Sequence, residues 1–88
     1  MVERVVTIQN RLGLHARACS VFVKEAARFA SHVTVARDGL EVNGKSILGV
    51  MMLAAEMGAQ ITVRAEGSDE QEALTALVRV VDDKFGEE

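Results

Sequence analysis

His15 stands in the run Gly13-Leu14-His15-Ala16-Arg17, where every residue type bears on the chemistry of an imidazole. A glycine lets the chain turn sharply, and a helix starting just after it offers unpaired backbone N–H groups and the positive end of its dipole. Such an entry attracts anions. A neutral imidazole there can act as a nucleophile, and Arg17 can reach a phosphoryl oxygen with its fixed donor fork. The group could hold a phosphoryl on a ring nitrogen of His15, gripped by the backbone amides of Ala16 and Arg17. In the alternative reading, His15 only caps the helix and Arg17 is a solvated charge.

A second group is Asn43-Gly44-Lys45-Ser46, followed by nine uncharged residues, 47 to 55. Ser46 is most simply a helix N-cap, and as a phosphorylation site it would set about −1.5 to −2 charge on the rim of an apolar surface. A short helix cannot bury its whole circumference, so some of Ile47, Leu48, Met51 and Met52 should face a partner. The alternative, with all of them packed in the core, is less expected for Ile47 and Met51 than for Leu48, Val50 and Leu53. His32, between a helix end and a strand, is expected to be a polar cap. The spacing of the two histidines gives little ground for a metal site, and no cofactor is implied. Cys19 excludes an internal disulfide; a small buried filler is the first reading and a redox-sensitive thiol the second.

The elements that must position these groups follow from periodicity. Residues 2 to 8 are β-branched and alternating, with Val2, Val6 and Ile8 on one face, and predict a strand. Ala18, Phe22, Ala26 and Phe29 recur at helical spacing, predicting a helix from about 16 to 28. Asp38-Gly39 between two alternating runs signals a tight hairpin. Ile61, Val63 and Ala65 alternate with polar residues, as in a strand with one solvated face. Ser68 or Asp69 should cap a last helix carrying Leu74, Leu77, Val78, Val81 and Phe85, ended by Gly86. The fold class expected is α+β: an open-faced β-sandwich, β-α-β-β-α-β-α, with a four-stranded antiparallel sheet and three helices on one face.

Composition narrows the function classes. With no proline and scattered glycines, the 88 residues predict a single domain. Three Phe and no Trp or Tyr, at a net charge of −3, argue against nucleic acid. Charges near the N-terminus and no long apolar run argue against export or membrane insertion, and a lone cysteine suits the cytoplasm. The first 45 residues carry seven Lys or Arg against four acids and the remainder three against nine, so an anion site belongs in the first half.

Gly13-Leu14-His15-Ala16-Arg17, Lys45-Ser46-Ile47-Leu48-Gly49-Val50-Met51 and Ala65-Glu66-Gly67-Ser68-Asp69-Glu70-Gln71-Glu72-Ala73, in register, resemble the HPr family of histidine-containing phosphocarriers of the bacterial sugar phosphotransferase system. The resemblance implies a carrier, not an enzyme. It implies that His15 accepts a phosphoryl group on Nδ1 from enzyme I and passes it to an enzyme IIA component, with Arg17 on the phosphoryl group. It further implies a serine kinase, with a matching phosphorylase, acting on Ser46, and a docking surface comprising Leu14, Lys24, Ile47, Leu48, Met51 and Met52, on a chain expected to be monomeric. Ala18 departs from the proline of most members and Cys19 from a small residue. Two other readings stay open: a regulatory module signalling through phospho-Ser46 to a transcription factor or metabolic enzyme, and a scaffold whose apolar patch is a homodimer face.

Overall fold

In a computed structural model, which describes residues 1–87, the chain runs β1 (Val2–Thr7), α1 (Ala16–Ala26), β2 (His32–Arg37), β3 (Leu40–Asn43), α2 (Ile47–Met51), β4 (Gln60–Glu66) and α3 (Glu70–Asp82), followed by a 3-10 turn, Lys84–Gly86. The expected element order and architecture are both present. The strands form one sheet in the order β1-β4-β2-β3, every neighbouring pair antiparallel. β1 and β2 are therefore parallel with β4 between them, and α1 is their crossover.

Alternation decides which face is covered. Val33, Val35, Ile61, Val63 and Ala65 are buried beneath the helices, while Glu3, Glu41 and Val5 are exposed on the opposite face. Arg64, on the central strand, donates to Glu3 at 2.8 Å and to Glu41, tying three strands together on the wet side. The helices close the core with Ala18, Cys19, Phe22 and Ala26 from α1, Val50 from α2 and Ala73, Leu74, Leu77 and Val81 from α3. The hairpin between β2 and β3 turns on Asp38 and Gly39, both with positive φ (50° and 85°), as the sequence indicates.

Three expectations are corrected. His32 is not a helix cap: it opens β2, is exposed, and stands opposite Glu66 in the register with β4. Asp69 occupies the N-cap position of α3, yet its side chain makes no cap bond. It accepts instead from the amides of Ala30 and Ser31, both at 2.9 Å, and from the Ser31 hydroxyl, closing the loop between α1 and β2. These bonds, the Ser31 hydroxyl first, hold its carboxyl below the usual range. Finally, α3 stops at Asp82 and not at Gly86. Lys84 and Phe85 both adopt φ of 56°, which doubles the chain back and turns the Phe85 ring into the core.

Candidate functional site

The loop from β1 to α1 is built around a tight approach of two backbones. Gly13 has φ of 68°, and a Cβ there would lie 2.5 Å from the carbonyl oxygen of Ala55. That same carbonyl accepts the Leu14 amide at 2.9 Å, so the loop is pinned against the segment between α2 and β4. Only glycine meets both demands, the left-handed turn and the missing Cβ.

His15 follows as the N-cap residue of α1, with extended φ/ψ of −78° and 176° and no side-chain cap bond. Its carbonyl accepts the first helical bond, from Cys19 at 3.0 Å. The amides of Ala16, Arg17 and Ala18 belong to the first turn, which has no helical carbonyl behind it and carries no acidic residue. The imidazole side chain is 30% exposed, neither sealed in the core nor fully free. Reading His15 as a helix cap therefore fails on the side chain, which points to another partner.

That partner is Glu87. His15 Nε2 is hydrogen-bonded to Glu87 Oε2, and the other carboxylate oxygen accepts from Asn10 Nδ2 at 3.0 Å. Asn10 is fully buried and also donates to the Gly13 carbonyl at 2.8 Å. The Asn10 bond, the His15 bond and the charge of Arg17 hold the Glu87 carboxyl below the usual range. An open groove of about 770 Å³ lies over the site, lined by Arg11, Leu12, His15, Ala16, Arg17, Phe85, Gly86 and Glu87. With one proton on the ring, and that proton given to Glu87, the lone pair resides on Nδ1. The arrangement leaves one ring nitrogen free of Glu87 on the N-cap residue of a helix whose own first turn carries no acidic residue, with Arg17 lining the same groove, which suits a phosphoryl group.

Asn10 and Glu87 escape the sequence reading. Asn10 resembles any polar residue ending a strand, and Glu87 lies 72 positions from His15. The one available signal is a C-terminal segment that keeps an aromatic residue, Phe85, beyond the last helical turn.

Ser46 is the N-cap of α2, and its Oγ accepts from the Gly49 amide at 3.0 Å. Lys45 reaches back to the Phe29 carbonyl at 2.8 Å. In the same segment Leu48 and Met52 are 76% and 66% exposed and Ile47 and Met51 around 40%, while Leu12, in the loop before α1, is 70% exposed. Leu48 thus lies outside, as expected of the docking surface, and is more exposed than Ile47 and Met51, which reverses only the expected ranking among them. α2 has only five residues and buries Val50 alone, so Leu48 has nothing to pack against. Leu14, expected in the docking surface, is buried and cannot contribute; Leu12, two residues earlier, stands outside instead. Lys24 is exposed in the last turn of α1. Cys19 is buried, its Sγ against the Leu14 carbonyl, and burial pushes its thiol up to about 11, which leaves it inert. Among the described residues no group of three or more His, Cys, Asp or Glu could hold a metal, and no helix is long and apolar enough to cross a membrane.

Residues 2–83 match the family model described as the PTS HPr component phosphorylation site. The chain is 48% identical over 87 residues to phosphocarrier protein HPr of Cupriavidus necator, covering 99% of this chain and 98% of that one. It is also 46% identical over 82 residues to the HPr-like protein Crh of Halalkalibacterium halodurans, covering 93% and 98%. Among solved structures, an HPr from Thermoanaerobacter tengcongensis superposes with a TM-score of 0.96 at 45% identity, covering 100% of this chain and 99% of that one. On the sheet, the helix-entry histidine and these likenesses, the chain belongs to the HPr family of phosphotransferase-system phosphocarriers.

Proposed function

We propose that the chain carries a phosphoryl group on His15, accepting it from enzyme I charged by phosphoenolpyruvate and giving it to an enzyme IIA component. One observation carries this reading: a part-exposed imidazole on the N-cap residue of α1 whose Nε2 is engaged by Glu87, which leaves Nδ1 as the nitrogen for phosphorus. The Nδ1 lone pair forms the N–P bond as the bond from phosphorus to the donor breaks, its electron pair leaving with the donor. The amides of Ala16 and Arg17 and the Arg17 guanidinium take up the phosphoryl charge. Onward transfer is the reverse step with a new acceptor, so the grip must be moderate, and an exposed site suits that need. The surface of Leu12, Ile47, Leu48, Met51 and Met52, with Lys24 at its side, receives the partners, and the protein works as a cytoplasmic monomer.

A second, regulatory role is supported by the 46% identity to Crh of Bacillus subtilis, described as a catabolite repression HPr, together with the N-cap geometry of Ser46. A phosphate on Ser46 would sit at the start of α2 and set negative charge at the rim of the apolar surface, repelling an acidic partner without refolding the chain.

Incubation with enzyme I and phosphoenolpyruvate tests the main reading. The label should be acid-labile and base-stable, as a phosphoramidate is, and absent from His15→Ala. A wild-type protein that stays unlabelled would refute it. An ATP-dependent kinase should give instead an acid-stable label that Ser46→Ala removes.

A further inference from the structure

We propose that Glu87 is a positioning residue for phosphoryl transfer, holding the proton of His15 on Nε2 so that Nδ1 faces the incoming phosphorus. The proposal rests on the phosphocarrier reading and assigns a role to a residue outside the three sequence runs that identify the family.

Three features separate this contact from an ordinary surface ion pair. Both carboxylate oxygens are committed, one to His15 and one to the Asn10 amide. Asn10 is fully buried, and its second bond, to the Gly13 carbonyl, fixes which way the amide points. The glycine that sets the helix entry and the carboxylate that sets the ring are thereby tied to one side chain. Moreover, Glu87 follows directly on Lys84 and Phe85, which take a left-handed backbone that side-chain-bearing residues rarely adopt and are anchored by the buried Phe85 ring.

The charge accounting points the same way. When the Nδ1 lone pair forms the N–P bond, Nε2 keeps its proton and the ring gains positive charge. A carboxylate already on that proton stabilises the charge as it develops, and cannot contact the phosphoryl group bound at the other nitrogen. A carboxylate orienting an imidazole that gains charge is the same logic as the aspartate of a serine-protease triad.

The test compares wild type with Glu87→Gln, which keeps an acceptor but no charge, and Glu87→Ala, which keeps neither. In single-turnover transfer from phosphorylated enzyme I at saturating donor, Glu87→Ala should be slower by about tenfold, the scale of one hydrogen bond to a charged group, and Glu87→Gln intermediate. The half-saturating concentration should not change, whereas a tail that merely loosened the docking face would raise it. Independently, nitrogen-15 spectra of the unphosphorylated wild type should show an exchange-protected Nε2 proton on His15, lost in Glu87→Ala. Labelled wild type with an unchanged rate in Glu87→Ala, or a ring proton found on Nδ1, overturns the proposal alone. An unlabelled wild type overturns the carrier reading, and the proposal with it.

Discussion

Replacing Gly13 by alanine should damage both the stability of the fold and the site. The added Cβ would sit 2.5 Å from the Ala55 carbonyl oxygen and 3.0 Å from the Glu56 Cα, both backbone atoms that cannot swing away. Holding alanine in the left-handed region costs about 1–2 kcal/mol. Relieving the clash displaces the carbonyl that the Leu14 amide binds at 2.9 Å, worth about 1 kcal/mol. Alanine also restricts the unfolded chain, an offset of about 0.4–1 kcal/mol. The net loss is about 2 kcal/mol, or a fall in Tm of roughly 8–16 °C for a domain of this size. Urea and thermal denaturation measure it, and Gly39→Ala is the control. Gly39 has φ of 85° but open space where a Cβ would go, so it bears only the conformational part. Phosphoryl acceptance should also slow in Gly13→Ala, because Gly13 bonds both Asn10 and the His15 amide. If Gly13→Ala loses no more stability than Gly39→Ala, the account of the helix entry is wrong.

Leu48→Glu should leave stability within about 0.5 kcal/mol, since the side chain is 76% exposed, but raise the half-saturating concentration for enzyme I by about tenfold, as for a central interface residue; an unchanged value removes Leu48 from the docking face. Ala18→Pro, in the first turn of α1, should raise stability by about 0.5 kcal/mol by restricting the unfolded chain while His15 still labels; lost labelling would mean that the turn must remain pliable. The carboxyl of Asp69, lowered by Ser31 and Ala30, stabilises the fold fully above the unfolded value near ~3.9 and progressively less as pH falls through the folded one. Acid unfolding followed by circular dichroism should accordingly flatten between about pH 5 and 2 in Asp69→Ala, and a curve parallel to wild type would deny Asp69 that role.

What was legible in the sequence is what local chemistry determines. The stripe of Ala18, Phe22 and Ala26, the positive-φ hairpin at Asp38-Gly39, the N-cap at Ser46 and the burial of Cys19 each depend on neighbours a few residues away. His15 and Arg17 were legible because a glycine before a helix start is itself a local pattern. The misses are contacts between distant segments. Strand register put His32 opposite Glu66, Asp69 turned from its own helix to a loop 38 residues back, and Glu87 met His15 across 72. The order of exposure within α2, Leu48 above Ile47 and Met51, was not legible for another reason: a five-residue helix is too short for periodicity to phase its faces.

The doubling-back at Lys84 and Phe85 has a practical consequence for anyone handling this protein. A fluorophore, crosslinker or insertion placed within the segment that follows Asp82 would lie within a few residues of the side chain that touches His15. The amino group of Met1 is instead paired with Glu70 at the start of α3. Reporters intended to leave the imidazole undisturbed therefore belong away from that segment, and kinetic differences between preparations labelled within it and elsewhere would measure its influence on the ring.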